Sequence, residues 1–203
     1  MDVIDMRSSI FVLLALCSTA AADGGGYFIE TIGGARYQGD LERFSPGEAR
    51  LQLGGGWVRN EWSFEASVTI FIPDQPYTSC ASDKCLAAAA PPVDLVIGNL
   101  DVRRAWRILR PRFADNENLS KAIRSFGIYL VLHGGPRWGL AKTPRDDYGG
   151  PGLGGGTTLE VNLKAVSMFV DLGMDVAMLR GDGGDVMTAR LPYLTAGMRL
   201  GWF

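Results

Sequence analysis

Large apolar side chains alternate with polar or small ones over most of the chain after residue 26, the pattern of β-strands with two different faces. The clearest example runs from Val166 to Met178. Every even position there is apolar, and the odd positions carry Ser, Phe, Asp, Gly, Asp and Ala. This alternation predicts a strand of about 13 residues, far longer than the usual ~5–6.

Seven further segments alternate in the same way. Three are clear, at 61–72, 125–140 and 194–202, and four are weaker, at 27–37, 48–58, 93–108 and 151–163. Phe71 and Arg104 break the pattern, because each falls on the face that carries the opposite kind of side chain. The eight segments predict an all-β protein, an eight-stranded antiparallel up-and-down β-barrel.

The predicted links alternate between short and long. Strands 2 and 3 meet at Arg59-Asn60, and strands 6 and 7 meet near Lys164. The longer links, at 38–47, 73–91, 141–150 and 181–186, are rich in Gly, Asp, Pro and Ser. Short turns at one end and long loops at the other are typical of a transmembrane barrel. The segment 109–122 is the exception, because it is too long for a short turn.

A soluble barrel that binds an apolar ligand would show the same alternation with its apolar face inside. An eight-stranded interior is only just wide enough for side chains, and seven bulky residues from each strand would overfill it. The Trp residues lie near predicted strand ends on the apolar face, as in the aromatic girdles of membrane barrels. The predicted girdle consists of Trp57, Trp62, Trp106, Trp138 and Trp202. These observations favour a transmembrane barrel.

Amino-acid composition argues against several classes of function. The 203 residues include 20 Lys and Arg against 22 Asp and Glu, a net charge of −2, which argues against nucleic-acid binding because that needs a basic surface. One His and three Cys leave little material for a metal site. We therefore expect no catalytic, cofactor-binding or metal site and no nucleic-acid partner.

The first 22 residues have the features of a secretory signal peptide. Arg7 precedes an apolar run, and an A-x-A ending favours cleavage after Ala22; translation starts at Met1 or Met6. Residues 23–203 would then form the barrel domain. Two cysteines remain in it, Cys80 and Cys85, and an even pair in an exported chain predicts a disulfide. The alternative is two free thiols.

Three segments resemble the small outer-membrane β-barrels of the OmpA/OmpX type: 53–65 (LGGGWVRNEWSFE), 152–156 (GLGGG) and the C-terminal strand 193–203 (YLTAGMRLGWF). The resemblance covers residues 27–203. It implies a place in the outer membrane of a Gram-negative bacterium, in contact with outer-membrane lipid and lipopolysaccharide. It also implies recognition of the C-terminal strand by the barrel-assembly machinery, although Phe203 departs from the pattern by falling in the polar phase. The role expected is a non-enzymatic membrane anchor, structural or surface-interaction protein, whose extracellular partner no motif identifies.

The polar faces of the predicted strands place nearly balanced charges in the lumen. Buried charges are costly unless paired, so we expect a salt-bridge network that fills the barrel, with Arg199 pairing with Asp171, Asp175 or Glu30. The alternative is a narrow ion path. The predicted lumen network consists of Glu30, Arg36, Arg50, Glu61, Glu65, Asp101, Arg103, His133, Arg137, Glu160, Asp171, Asp175 and Arg199.

His133 leaves a second function open. Some eight-stranded outer-membrane barrels are lipid A-modifying enzymes that use a His with a Ser and an acid. Nucleophilic catalysis needs the base and the hydroxyl within hydrogen-bond reach. Ser125, on the same face, is about 26 Å away at ~3.3 Å per residue, whereas Asp171 or Glu65 approaches only if the strand register allows. We therefore favour a His within a polar network.

Overall fold

Eight long antiparallel strands and one short strand make up the computed structural model, which describes residues 25–43, 48–72, 93–109, 126–143, 146–163 and 166–201. The strands are β1 (Gly25–Ala35), β2 (Gln38–Gly39), β3 (Glu48–Arg59), β4 (Trp62–Ile72), β5 (Asp94–Leu109), β6 (Phe126–Lys142), β7 (Asp147–Leu163), β8 (Val166–Gly181) and β9 (Val186–Gly201). A 3₁₀ turn covers Asp40–Arg43.

The long strands close into a barrel. Each pairs antiparallel with the next long strand in sequence, and β1 pairs with β9 from Tyr27 opposite Gly201 to Ala35 opposite Tyr193. The short β2 also pairs with β9. This closure confirms the eight-stranded antiparallel barrel that the alternation predicts.

The two ends of the barrel differ. At one end, which we call the turn end, Asn60 and Glu61 connect β3 to β4, and Asn60 adopts the left-handed conformation, with φ 59°. The start of β1 and the end of β9 lie at this end. At the opposite end, the loop end, the links 143–146 and 182–185 are shorter than predicted, because β7 and β9 begin earlier than the alternation indicated.

Apolar side chains cover the outer surface. Val170, Leu172 and Met174 all point outward, with Leu172 63% exposed, whereas the intervening Asp171 and the following Asp175 are buried in the lumen. The same separation repeats on the neighbouring strands. The outer face is therefore apolar and the strand phase of β8 is as the sequence predicts.

The loop-end half of the lumen is apolar, which differs from the polar lumen expected. Phe71 faces inward here and packs with Leu95, Ile97 and Leu179, so its break in the pattern follows from a core on the inner face. The 3₁₀ turn buries Leu41 completely in the same cluster. The whole cluster, which we call the apolar plug, consists of Ala35, Tyr37, Leu41, Phe71, Val93, Leu95, Ile97, Ala141, Ala177, Leu179, Met187, Ala189, Leu191 and Tyr193.

Several predictions from the sequence fall on residues outside the described ranges. They are the signal peptide (1–22), the Cys80–Cys85 disulfide, Ser125, most of the 109–122 link, and the C-terminal Trp202 and Phe203. These stay predictions. In the described part of the chain, no helix is sufficiently long and apolar to cross a membrane.

Candidate functional site: a charged network in the lumen

Between the apolar plug and the turn end of the barrel, charged side chains form one continuous network, which we call the lumen network. It begins at Arg50, whose Nη1 lies 3.0 Å from Asp175 Oδ2. Arg137 bridges the next two carboxylates, with Nε 2.7 Å from Asp175 Oδ1 and Nη2 2.9 Å from Asp101 Oδ1. These side chains are at most 3% exposed, so their charges are stabilised by one another rather than by water.

His133 lies at the centre of the network, between two carboxylates. Its Nδ1 is 3.3 Å from Asp101 Oδ1 and its Nε2 is 2.9 Å from Asp171 Oδ1. An ionised carboxylate only accepts hydrogen bonds, and a neutral imidazole donates from one nitrogen only. The imidazolium form is therefore the one that satisfies both contacts.

The turn-end part of the network runs from Asp171 to Glu160. Thr158 donates to Asp171 at 3.0 Å and accepts from Arg103 at 3.3 Å, and Arg103 lies 3.4 Å from Glu65. Arg199 then joins Glu65 at 3.5 Å to Glu160 at 2.6 Å. The expectation that Arg199 pairs with Asp171, Asp175 or Glu30 is wrong. The carboxylates within ion-pair distance of its guanidinium are those of Glu65 and Glu160.

Every long strand contributes to this network. β1 takes part through Tyr27, which donates to Glu65 at 3.1 Å, and Ser167 of β8 donates to Glu160. In the part of the chain that the structure describes, the network holds five carboxylates (Glu65, Asp101, Glu160, Asp171 and Asp175), four guanidinium groups (Arg50, Arg103, Arg137 and Arg199) and His133. With His133 as an imidazolium the charges balance.

Glycines on β7 make room for the network. A Cβ atom at Gly154 would lie 2.0 Å from Asp175 Oδ1 and 2.6 Å from Arg137 Nε, and one at Gly156 would lie 3.0 Å from His133 Nε2. The Gly-rich segment predicted as part of a strand is a strand. Because these glycines have no side chains, the long charged side chains of β6 and β8 can occupy the space beside β7.

Aromatic rings seal the network where it meets apolar residues. The guanidinium of Arg199 lies 4.0 Å from the ring centroid of Phe169, and that of Arg50 lies 3.7 Å from the ring centroid of Tyr193, a member of the apolar plug. Cation–π contacts of this kind are worth about 2 kcal/mol or more when desolvated. They stabilise charges whose remaining surroundings are apolar.

Three residues predicted to lie in the lumen lie elsewhere. Glu30 faces outward because Tyr27, Ile29 and Thr31 occupy the inner face of β1. Arg36 follows the end of β1 and is exposed, with its backbone N–H bonded to Pro192 O.

Glu61, the third, belongs to the β3–β4 turn and is exposed. Its carboxylate lies 3.7 Å from the guanidinium of Arg104 on the outer surface. All three corrections concern strand ends or the weakly alternating β1, where the sequence gives little information about phase.

Network residues that sequence reasoning missed are uncharged. They are Tyr27, Thr158 and Ser167, whose signal is that each lies on the inward phase of its strand. A second, neutral cluster was missed as well: Gln52 donates to Ser67 at 2.7 Å, and Asn99 donates to Thr69 at 2.9 Å.

The described cavities of the barrel differ in size between its middle and its turn end. The cavity beside His133 has a volume of about 10 Å³, close to the minimum for one water molecule. A larger cavity of about 270 Å³ opens at the turn end, lined by Tyr129, Arg103, Glu160, Asn162 and Arg199. Within the described ranges, no three His, Cys, Asp or Glu side chains are arranged to hold a metal ion.

The tryptophans that the structure describes lie on the outer surface or at its edge. Trp62, Trp106 and Trp138 are exposed, and Trp57 stacks on Phe64 with 6.2 Å between ring centroids. Trp57, Trp62 and Trp106 lie toward the turn end and Trp138 toward the loop end of β6.

Two solved structures of other proteins align with this chain. The crystal structure of Neisserial surface protein A aligns with a TM-score of 0.59 at 13% identity, over 88% of this chain and 99% of that protein. That of Ail, the attachment invasion locus protein of Yersinia pestis, aligns with a TM-score of 0.45 at 13% identity, over 88% of this chain and 100% of Ail. No protein-family model and no curated protein sequence matches the chain. The chain has the fold of the small outer-membrane β-barrels of the OmpA/OmpX type, as its sequence predicts.

Proposed function

We propose that this chain is a non-enzymatic outer-membrane β-barrel protein of a Gram-negative bacterium, acting as a membrane anchor, structural element or surface-interaction protein. One observation carries the proposal: the apolar plug and the lumen network fill the loop-end half and the middle of the interior with the protein's own side chains. A barrel filled in this way offers its outer face and its loops, rather than its interior, to other molecules.

The outer face supports insertion into a bilayer. Its large apolar side chains are exposed on consecutive strands. Contact between so large a contiguous apolar surface and water is unfavourable and promotes aggregation. A lipid bilayer removes that cost, since the outer faces of membrane barrels carry an apolar band between two aromatic girdles. In that setting the turn end faces the periplasm.

The loop end has groups that suit lipopolysaccharide. Arg36, Arg180 and Arg190 are exposed on the outer side near this end, and guanidinium groups bind phosphates through charge-assisted hydrogen bonds. Contact with lipopolysaccharide and outer-membrane lipid is therefore part of the proposal. Assembly through the C-terminal strand by the barrel-assembly machinery is part of it too.

The alternative is a lipid A-modifying enzyme, and the observation that favours it is the His133–Asp171 contact. A catalytic His needs one nitrogen within reach of a reacting hydroxyl. Here both nitrogens face carboxylates, and the cavity beside them is too small for an acyl chain. These facts support the non-enzymatic role.

Epitope insertion tests location and orientation together. One variant takes a tag between Gly183 and Gly184, where the surroundings are open, and the matched variant takes the same tag between Asn60 and Glu61. In a Gram-negative host, we expect both variants in the outer membrane, with only the first tag reached by antibody on intact cells. Soluble periplasmic protein, or the reverse accessibility, would contradict the proposal.

Lipid A analysis tests the enzymatic alternative. Cells that express the wild-type protein and cells that express His133→Asn should yield lipid A of identical mass. A change in lipid A mass that requires His133 would replace the anchor proposal with the enzyme.

A further inference from the structure

A charged and aromatic patch lies on the outer surface at the turn end. We call it the Arg104 patch, and it consists of Glu61, Trp62, Arg104 and Trp106. The guanidinium carbon of Arg104 lies 5.2 Å from the ring centroid of Trp62 and 5.1 Å from that of Trp106. Its Nη2 lies 3.7 Å from Glu61 Oε2.

The strand register explains why Arg104 is outside the lumen. Arg104 is opposite Trp62 on β4 and Leu132 on β6, and its neighbours on the same face of β5, Val102 and Trp106, are exposed. The break in alternation at Arg104 is therefore a cation placed on the apolar outer surface. Such a cation costs about 2–4 kcal/mol at the bilayer midplane but only ~0–1 near the interfaces.

Two features place the patch at headgroup depth. Trp62 is the first residue of β4, directly after the Asn60-Glu61 turn, and tryptophans concentrate at the membrane–water interface. Beyond the patch, toward the middle of the barrel, the outer face continues with Phe64, Val102 and Leu132, all exposed and apolar. A lipid whose headgroup lay on the patch would have its acyl chains on this apolar surface.

The chemistry of the patch matches a zwitterion. A guanidinium binds a phosphate through charge-assisted hydrogen bonds, and a carboxylate accepts hydrogen bonds from a primary ammonium. Arg104 and Glu61 are 44% and 65% exposed, and their separation of 3.7 Å is too long for a hydrogen bond. Both groups are thus free to exchange this contact for a stronger partner.

We propose that the Arg104 patch binds the headgroup of an aminophospholipid, with the phosphate on Arg104 and the primary ammonium on Glu61. The inference rests on the proposed function, because it requires the barrel to lie in a bilayer with its turn end at the periplasmic leaflet. Arg59, exposed and opposite Trp62 in the strand register, adds a second positive charge beside the patch, on the side of Trp62 away from Arg104.

Other phospholipids fit the patch less well. An anionic phosphatidylglycerol would satisfy the arginines but leave the Glu61 carboxylate beside a negative lipid. A phosphatidylcholine would provide the phosphate, but its trimethylammonium has no N–H to donate to Glu61. The structure therefore makes Arg104 responsible for phosphate binding and Glu61 responsible for headgroup selectivity.

Lipid titration followed by native mass spectrometry tests this assignment. The refolded full-length protein is first shown to insert into vesicles, by protection from protease and by altered gel migration without boiling. It is then titrated in detergent with phosphatidylethanolamine, phosphatidylcholine and phosphatidylglycerol of identical acyl chains. We expect phosphatidylethanolamine to bind about fivefold more tightly than either of the others, the strength of an exposed ion pair.

Two variants separate the roles, and a third serves as control. Glu61→Gln should remove the preference for phosphatidylethanolamine over phosphatidylcholine, and Arg104→Gln should weaken binding of all three lipids about fivefold. Lys142→Gln, which removes an exposed cation at the loop end of β6, should change neither. All three positions are exposed, so the variants are expected to fold, and gel migration checks that they do.

Failure of the inference is distinguishable from failure of the proposed function. A protein that does not insert into vesicles contradicts both. The lipid site alone is contradicted if the protein inserts but shows no preference for phosphatidylethanolamine or prefers phosphatidylglycerol. It is also contradicted if Glu61→Gln keeps the preference, or if Arg104→Gln binds all three lipids as tightly as the wild type.

Discussion

The guanidinium of Arg50 lies against the ring of Tyr193 at 3.7 Å on one side and forms an ion pair with Asp175 at 3.0 Å on the other. Tyr193 belongs to the apolar plug and Asp175 to the lumen network. Arg50 therefore connects the two layers that fill the barrel. Its burial shows that a full charge is held inside without access to water, which makes both layers parts of one packed interior.

The lumen network packs closely against the glycines of β7, so adding a single methyl group there should reduce stability. Gly154→Ala would place a Cβ atom 2.0 Å from Asp175 Oδ1, so the Arg137–Asp175 pair must move. We expect a loss of about 1–3 kcal/mol in the free energy of unfolding, as for other overpacked sites. Urea unfolding in lipid vesicles, followed by circular dichroism, measures it.

Gly183→Ala is the matched control, because no heavy atom beyond its two chain neighbours lies within 4 Å of its added Cβ. It should change stability by less than about 0.5 kcal/mol. Equal stability of the two variants would show that the network tolerates displacement at Gly154.

The charge balance of the network predicts that His133 acts as a cation. His133→Gln leaves five buried carboxylates against four guanidinium groups in the described part of the network. We expect destabilisation of about 3–5 kcal/mol, as when one partner of a buried pair is removed. The same unfolding assay applies.

A second substitution tests whether charge is the cause. Asp171→Asn in the His133→Gln background restores equal numbers of charges, so the double variant should recover at least about 1 kcal/mol relative to His133→Gln. If His133→Gln is as stable as the wild type, the imidazolium assignment is wrong.

The outward phase of β8 predicts a depth-dependent cost for a charge. Leu172→Arg should cost about 2–4 kcal/mol near the bilayer midplane, and Met178→Arg, near the loop end of the same face, should cost less because the penalty falls toward the interface. Leu172→Ala separates loss of the leucine from gain of the charge. Reversible folding into vesicles gives the three values, and a neutral Leu172→Arg would mean that this face does not contact lipid.

Strand phase could be predicted from sequence where one face is uniformly apolar, as from Val166 to Met178. It could not be predicted in β1, where Phe28 and Ile32 face outward while Tyr27 and Ile29 face inward. Both faces are apolar there, so the alternation does not show that Glu30 faces outward. The inner face of the barrel also changes along its length, from the charged lumen network to the apolar plug at the loop end.

The pairings between charged side chains in the lumen depend on which residues of neighbouring strands lie opposite each other. The pattern along a single strand does not contain this information. His133 meets Asp101 because β5 and β6 pair with Arg103 opposite His133, and it meets Asp171 of β8 across the side-chain-free Gly156. The sequence identified these groups as lumen candidates but not their partners. The apolar plug had one visible signal, the inward Phe71 that broke the alternation.

The cysteine pair predicts a disulfide that lies outside the described residues. A Cys80–Cys85 bond would close a short loop, and we expect it to contribute at most about 2–3 kcal/mol, mainly by ordering that loop. Mass spectrometry of the non-reduced protein should show the mass two hydrogens below that of the dithiol form. Two alkylatable thiols in protein isolated from the periplasm or outer membrane would contradict it.

The two-layer interior predicts that the barrel does not conduct ions. Water-filled channels are found in barrels of about 16 strands or more, and here the lumen network leaves a central cavity of only about 10 Å³. Planar-bilayer recordings of the purified protein should therefore show no steady conductance. Tyr37→Ala/Leu41→Ala loosens the apolar plug without touching a network charge, and it should stay closed as well because the network seals the lumen by itself. A stable conductance of porin size from the wild type would revive transport as the function, whereas one from the double variant alone would show that the apolar plug is the barrier.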